Sequence, residues 1–138
     1  MKLIHRNLKA KWQTAWDNEI TNKLHFVKPV LGEWKTCTHQ ACFTEIILCR
    51  LRIRHTHLTH FLLTNQDKPL CERCGDELTI HHILLSCPKL EKLRKKYFTQ
   101  FYNQCIPFHP ALLLSDYAIV DMSSVFNFLR ESGFLDRL

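Results

Sequence analysis

Apolar residues recur at helical spacing along most of the chain. Leu8, Trp12, Trp16 and Ile20 repeat every fourth position with Ala15 between them, and Asn7 stands where a cap belongs. This predicts an amphipathic helix ending near Asn22, with Trp12 and Trp16 in the core. Leu24 to Trp34, with Pro29 and Gly32, reads as an extended connector. A second helix is expected from about His39 to Arg54, capped by Thr38, with Cys42, Ile46, Cys49 and Ile53 on its buried face. A short apolar helix from Leu58 to Thr64 follows, and Asn65 to Pro69 breaks the pattern.

Further on, Pro88 occupies a favourable first helical position, and Leu90, Leu93, Tyr97 and Phe101 form a stripe that points away from Lys89, Lys92, Lys95 and Lys96. Pro107 and Pro110 stop that helix. Shorter helices are predicted over Pro110–Tyr117 and Met122–Ser132, the second ended by Gly133. Strand-like alternation is confined to Glu77–Ile80. The expected fold is mostly α, a small helical domain around one loop. Three regions can be drawn: helices over 1–66, the loop and a basic helix over 67–101, and a helical tail over 102–138.

A chain of 138 residues with 46% hydrophobic and 23% charged residues is long enough to bury a core of its own. Its apolar runs are too short to span a membrane, and its first residues lack the apolar stretch of a secretory signal. The seven cysteines are odd in number, which argues against a disulfide framework. An intracellular protein in a reducing compartment, nucleus or cytoplasm, is expected. Charge is uneven: residues 1–100 carry 17 Lys and Arg against 9 acids, residues 101–138 only 2 against 4. That imbalance suits contact with phosphates and equally suits plain solubility.

The most specific chemistry lies in the stretch from Cys71 to Cys87. Cys71, Cys74, a histidine and Cys87 supply three thiolates and one imidazole, the donor set of a closed structural zinc site. With His82 the spacing is C-x2-C-x7-H-x4-C; with His81 it is C-x2-C-x6-H-x5-C, and both are workable. Gly75 follows the first pair where a turn often needs positive φ. Zinc is therefore the expected cofactor, and a site with four protein ligands has no open position for a catalytic water.

The neighbourhood of this site has a recognisable look. Leu48-Cys-Arg-Leu-Arg-Ile-Arg-His55-Thr-His-Leu-Thr-His60-Phe-Leu-Leu precedes it, and His82-Ile-Leu-Leu-Ser-Cys87-Pro-Lys-Leu-Glu-Lys-Leu-Arg contains its end. Together these resemble the carboxyl-terminal tail of animal non-LTR retrotransposon polyproteins, jockey-like elements especially, which carry an "RLRxGHTxLTHxxLL" block before "CxxC…HIL…C…R". Lys11-Trp12-Gln13-Thr14-Ala15-Trp16 and Asn22-Lys23-Leu24 resemble the segment after the ribonuclease H domain of those elements. The resemblance covers about residues 10–100. It implies that Cys71, Cys74, His82 and Cys87 are the zinc-knuckle-like ligands, and it matches His55, Thr56 and His60 to the "GHT…LTH" block. One position departs from the pattern: the family's glycine before the histidine is Arg54 here, where a larger, charged residue would disturb a tight turn or a close approach.

Neither a reverse transcriptase palm nor a ribonuclease H carboxylate cluster fits in this chain, so the expected function is a non-catalytic, zinc-stabilised nucleic-acid-binding module. Arg50, Arg52 and Arg54 form one candidate basic group, and Lys89, Lys92, Arg94, Lys95 and Lys96 the other; Trp34, Tyr97 or Phe98 would stack on unpaired bases. RNA or single-stranded DNA is the expected partner. Competing readings are an HNH-like nuclease built on His81 and His82, an interaction module docking onto other polyprotein domains, and a transposon remnant without a role. His55, His57 and His60 are a candidate second metal site, against surface or capping histidines.

Overall fold

Helices supply nearly all the regular structure of the chain. The computed structural model describes residues 2–32, 34, 42–59 and 67–138. Helix α1 spans Lys2–Asp17 and α2 spans Cys42–Ile53. After a 3-10 turn at His57–Thr59 come a π-helical turn at His82–Ser86 and a 3-10 turn at Pro88–Leu90. Then follow α3 (Glu91–Tyr97), α4 (Thr99–Asn103), α5 (Ala111–Leu114), α6 (Met122–Glu131) and a 3-10 turn at Leu135–Arg137. Among the described residues the strand-like pairing is limited to one antiparallel bridge, Leu70 to Glu77. No described helix is long and apolar enough to cross a membrane. The mostly α expectation holds. Thr38, His39 and His60, with most of the predicted 58–64 helix, lie outside the described residues.

One apolar core draws on all three regions drawn from the sequence. Val27, Ile47, Leu48 and Leu51 join Leu78, Ile83, Leu84 and Cys87, and these meet Phe98, Phe101, Val125, Phe128, Leu129 and Leu138. Helices α3 and α6 pack on each other, with the Phe98 and Phe128 rings 4.8 Å apart at their centroids. The predicted stripe after Cys87 is rotated from the observed one: Leu90, Arg94, Phe98 and Phe101 are buried, while Leu93 and Tyr97 are half-buried. The long helix expected there breaks at Phe98, whose φ of −117° and ψ of 42° leave the helical region between α3 and α4. Helix α6 ends as its Gly133 foretells. Gly133 has φ +75° and donates to the Arg130 carbonyl, and Phe134 donates to Leu129, the paired bonds of a Schellman motif.

Two predicted faces turn out otherwise. Helix α2 buries Ile47, Leu48 and Leu51, not the Cys42, Ile46, Cys49 and Ile53 stripe, all of which is exposed. Its sequence is apolar on both sides, so periodicity allows two stripes and packing selects one. Helix α1 starts five residues before the predicted Asn7 cap, and Trp12 is 60% exposed; Ile4, Leu8 and Ile20 are exposed too. Trp16 alone of the predicted core pair is half-buried, its Nε1 donating to the Lys28 carbonyl at 2.7 Å. Gln13 completes that attachment, donating to the Pro29 carbonyl at 2.8 Å and accepting from the Leu31 amide at 2.7 Å.

The connector is tied to the far end of the chain by a mostly buried ion pair, Lys28 to Asp116 at 2.8 Å. Lys28 also lies over the Trp34 ring, 4.4 Å from its centroid, and the Arg52 guanidinium lies 3.9 Å from it. Helix α2 ends in a second Schellman motif, with Arg54 donating to Leu51 and His55 donating to Arg50. Arg54 holds the left-handed position of that motif at φ +53°, where an L-residue is disfavoured by roughly 1–2 kcal/mol. This is the position at which the resembled family carries glycine. Its guanidinium lies 5.1 Å from the Phe26 ring centroid, a contact that offsets part of the strain. Comparing two truncations separates backbone from side chain: both Arg54→Gly and Arg54→Ala lose the Phe26 contact, but only glycine relieves the strain. Urea denaturation should therefore place Arg54→Gly about 1 kcal/mol above Arg54→Ala. Equal stabilities would remove backbone strain as the explanation.

Candidate metal centre

The first half of the centre is a tight turn. Cys71 donates its amide to the Asp76 carbonyl at 2.7 Å and accepts from the Gly75 amide at 2.8 Å. Gly75 closes the turn at φ +83°, a conformation open to glycine at little cost. The Leu70–Glu77 bridge and a bond from the Leu78 amide to the Pro69 carbonyl clamp its base. The two residues between the first cysteines bind elsewhere in the fold. Arg73 donates to the Ser132 carbonyl at 2.7 Å, and Glu72 pairs with Arg137 at 3.1 Å. The chain's last segment therefore holds the turn that carries Cys71 and Cys74, although it lies beyond the span of the sequence resemblance.

The second half is a short helix capped by Thr79, whose hydroxyl accepts from the His82 amide at 3.0 Å. From His82 the helix widens into a π-turn, in which the Cys87 amide donates to the His82 carbonyl at 2.8 Å. An α-helix of 3.6 residues per turn would rotate side chains five positions apart by about 140°. The wider i→i+5 turn brings His82 and Cys87 toward one face, a role in which π-turns recur at functional sites.

The four side chains converge. One donor atom each of Cys71, Cys74, His82 and Cys87 lies within 4.8 Å of all the others, so the group could hold a metal ion. The Cys71 and Cys87 sulfurs are 4.0 Å apart, those of Cys74 and Cys87 3.9 Å, and Cys74 Sγ lies 3.2 Å from His82 Nε2. A tetrahedral ion with metal–sulfur bonds of about 2.3 Å and metal–nitrogen bonds of about 2.0 Å needs sulfur–sulfur edges of about 3.8 Å and sulfur–nitrogen edges of about 3.5 Å. These three separations lie within about 0.3 Å of those edges. Cys71, His82 and Cys87 are buried and Cys74 is half-buried, so water reaches the group from one side.

Of the two candidate histidines, the group includes His82. His82 is in the cluster, whereas His81 is exposed, with its Nδ1 3.0 Å from the Ser86 hydroxyl. Burial and the nearby Arg54 charge hold His81 below the usual histidine range. At Cys71, burial works to raise the thiol, but the Arg73 backbone amide, the His82 ring and Cys74 outweigh it and bring the thiol down to about 7. Burial, reinforced by the Cys71 and Cys87 sulfurs, pushes Cys74 up to about 12 against a backbone bond from Asp76. A metal bound through the Cys74 sulfur would displace its proton.

The basic residues singled out from sequence are used in unequal ways. Arg94 is 4% exposed; one Nη donates to the Cys87 carbonyl in a short hydrogen bond, and the other has no hydrogen-bond partner among the described residues. It touches the main chain of a ligand residue and is not part of the surface. Its position, four residues after Leu90 and four before Phe98 on the buried stripe, was the available signal. Arg50 donates to the Leu138 carbonyl at 2.9 Å and Arg52 to the Leu114 carbonyl at 2.8 Å, both half-buried. Lys89, Lys92, Lys95 and Lys96 are exposed; Lys95 pairs with Glu91 at 2.9 Å and Lys96 with Glu131 at 2.6 Å. Of the proposed stacking residues, Phe98 is wholly buried, Tyr97 is half-buried with its hydroxyl on Glu131, and Trp34 is covered by Lys28 and Arg52. His55 and His57 are exposed and outside any metal-ligating cluster found among the described residues.

Comparison with known proteins found no matching family model, no matching curated protein and no matching solved structure. The geometry itself separates the two histidines by experiment. Cobalt(II) titration of His81→Ala should give the tetrahedral visible absorption of the parent, whereas His82→Ala should lose it or bind at least about tenfold more weakly. Loss in His81→Ala with retention in His82→Ala would reverse the ligand assignment.

Proposed function

We propose that this chain is a non-catalytic module in which zinc holds the fold and exposed lysines meet the phosphates of single-stranded RNA or DNA. The observation that carries the metal half is the convergence of three sulfurs and one imidazole nitrogen within 4.8 Å, three of their separations close to tetrahedral edges. Soft thiolates with one imidazole favour zinc among the common divalent ions. All four positions are filled from the protein, which speaks for a structural ion and against the HNH-like alternative, since no site is left for a metal-bound water. A reducing intracellular compartment would keep the thiols available.

Charge supports the same reading. A divalent ion with three thiolates and a neutral imidazole carries a net charge of −1. Arg94 is a buried guanidinium with an unpartnered nitrogen, bonded to the backbone of one ligand residue. Glu91 feels its charge, but the Glu91 carboxylate is engaged by Lys95. A buried, uncompensated cation is costly, and an anionic centre next to it removes that cost. In the metal-loaded protein Arg94 would hold the Cys87 carbonyl and balance the thiolates.

The nucleic-acid half rests on the lysines and on the resemblance to retrotransposon tails. Lys89 and Lys92 stand exposed without an ion pair among the described residues, directly after the last ligand. Lys95 and Lys96 have exposed partners, and such pairs are weak enough to yield to phosphate. Arg50 and Arg52 are better read as tethers between α2 and the carboxyl-terminal half. The test is a titration with single-stranded RNA and DNA oligonucleotides across salt. Each phosphate contact contributes about 0.7 to the slope of log affinity against log salt, so Lys89→Ala with Lys92→Ala should lower the slope by about 1.4 while zinc content is unchanged. Affinity that is absent, or indifferent to salt, would end the nucleic-acid reading and leave the metal site standing.

A further inference from the structure

Helix α1 presents a row of large apolar side chains to solvent. Ile4 is 71% exposed, Trp12 60% and Leu8 44%, and they repeat every fourth residue along one side. Every residue from Ile4 to Trp12 is exposed, so this half of the helix projects beyond the contacts made by Gln13 and Trp16. An unpacked helix shorter than about 12–15 residues is marginal in water. Between this face and the Leu31–Gly32 segment lies a groove of about 620 Å³. Leu8, Trp12 and Leu31 line it with apolar surface, and His5, Arg6 and Lys9 stand along it.

We propose that this groove is a docking site for an acidic amphipathic helix of a partner protein. Shape and charge together select that occupant. Apolar anchors spaced i, i+4 along α1 are matched by anchors at the same spacing on a second helix. Residues 2–16 hold Lys2, Arg6, Lys9 and Lys11 and no Asp or Glu, so the complementary helix is acidic and two copies of α1 repel each other. A nucleic acid would use the cations but leave Ile4 and Leu8 in water. An anionic bilayer would cover an unobstructed convex face, whereas here the Leu31–Gly32 segment makes the second wall of a groove. The site is independent of the metal centre and of the lysines after Cys87. It also accounts for a periodicity that foretells burial on a face the rest of the described chain does not cover.

The probe is a labelled sixteen-residue helical peptide with leucines at i, i+4, i+8 and i+12 and glutamates beside them, read by fluorescence anisotropy with the full chain. Controls are a scrambled peptide of the same composition, phosphatidylcholine–phosphatidylserine vesicles and a single-stranded RNA oligonucleotide. The amphipathic peptide should bind about tenfold more tightly than the scrambled one. Binding should fall about tenfold in Leu8→Glu with Trp12→Ala, and in the charge reversal Arg6→Glu with Lys9→Glu, while both variants keep the parent's metal content and helical spectrum. It should be unchanged in Lys89→Ala with Lys92→Ala. Equal binding of the scrambled peptide, no binding of either, or a stronger α1-dependent response to vesicles or RNA would each overturn the proposal.

Discussion

The structure is organised around four donor atoms that sit too close together to be indifferent to one another. Cys71 and Cys87 are at once ligand candidates and core residues, 2% and 0% exposed. Three sulfurs and an imidazole crowded into 4.8 Å satisfy no hydrogen-bonding scheme as well as they satisfy a cation. Much of the fold is built outward from that crowding. The turn after Cys71 needs Gly75, the turn before Cys87 needs a π-widening, and the residues between the first two cysteines reach across to α6 and the last turn of the chain. An ion in such a site contributes roughly 10–16 kcal/mol at neutral pH. That is comparable to the whole net stability of a typical domain, roughly 5–15 kcal/mol.

Arginine is the second organising element, and it works inward. Arg50, Arg52 and Arg73 each cap a main-chain carbonyl in a distant segment, and Arg94 does so beside the metal centre. Each guanidinium carries several donors on a long apolar stem, so one residue can close a helix end and cover apolar surface together. Lys89, Lys92, Lys95 and Lys96 stay exposed, whereas Lys28 joins the arginines in a mostly buried ion pair.

How much of this could be read from the residues depends on how local the cause is. The ligand set was legible because coordination demands particular donors at short spacing. Gly133 and Pro88 were legible because each acts through its own backbone. The choice between His81 and His82 was not legible from spacing, since it depends on the π-turn, a tertiary adjustment; the resemblance favoured His82 and the geometry agrees. The buried face of α2 was misread because Cys42, Ile46, Cys49 and Ile53 compete with Ile47, Leu48 and Leu51, and only packing chooses between them. Trp12 was misread for a different reason: its periodicity is real, but no described residue covers that face of the helix. Arg94 was placed on the surface by its charge, although its position on the Leu90–Phe98 stripe pointed inward. At position 54 the sequence left a tight turn and a close approach open, and the positive φ of Arg54 shows the turn.

The central claim is that a bound ion holds this fold together. It is tested most directly by measuring metal content alongside amide proton chemical-shift dispersion, before and after exhaustive chelation under reducing conditions. The account predicts one zinc per chain, with chelation collapsing the dispersion of residues 70–90 and of α6, and restoration on adding back one equivalent. A chain that purifies without metal, or that keeps the same dispersion after its metal is removed, would contradict it.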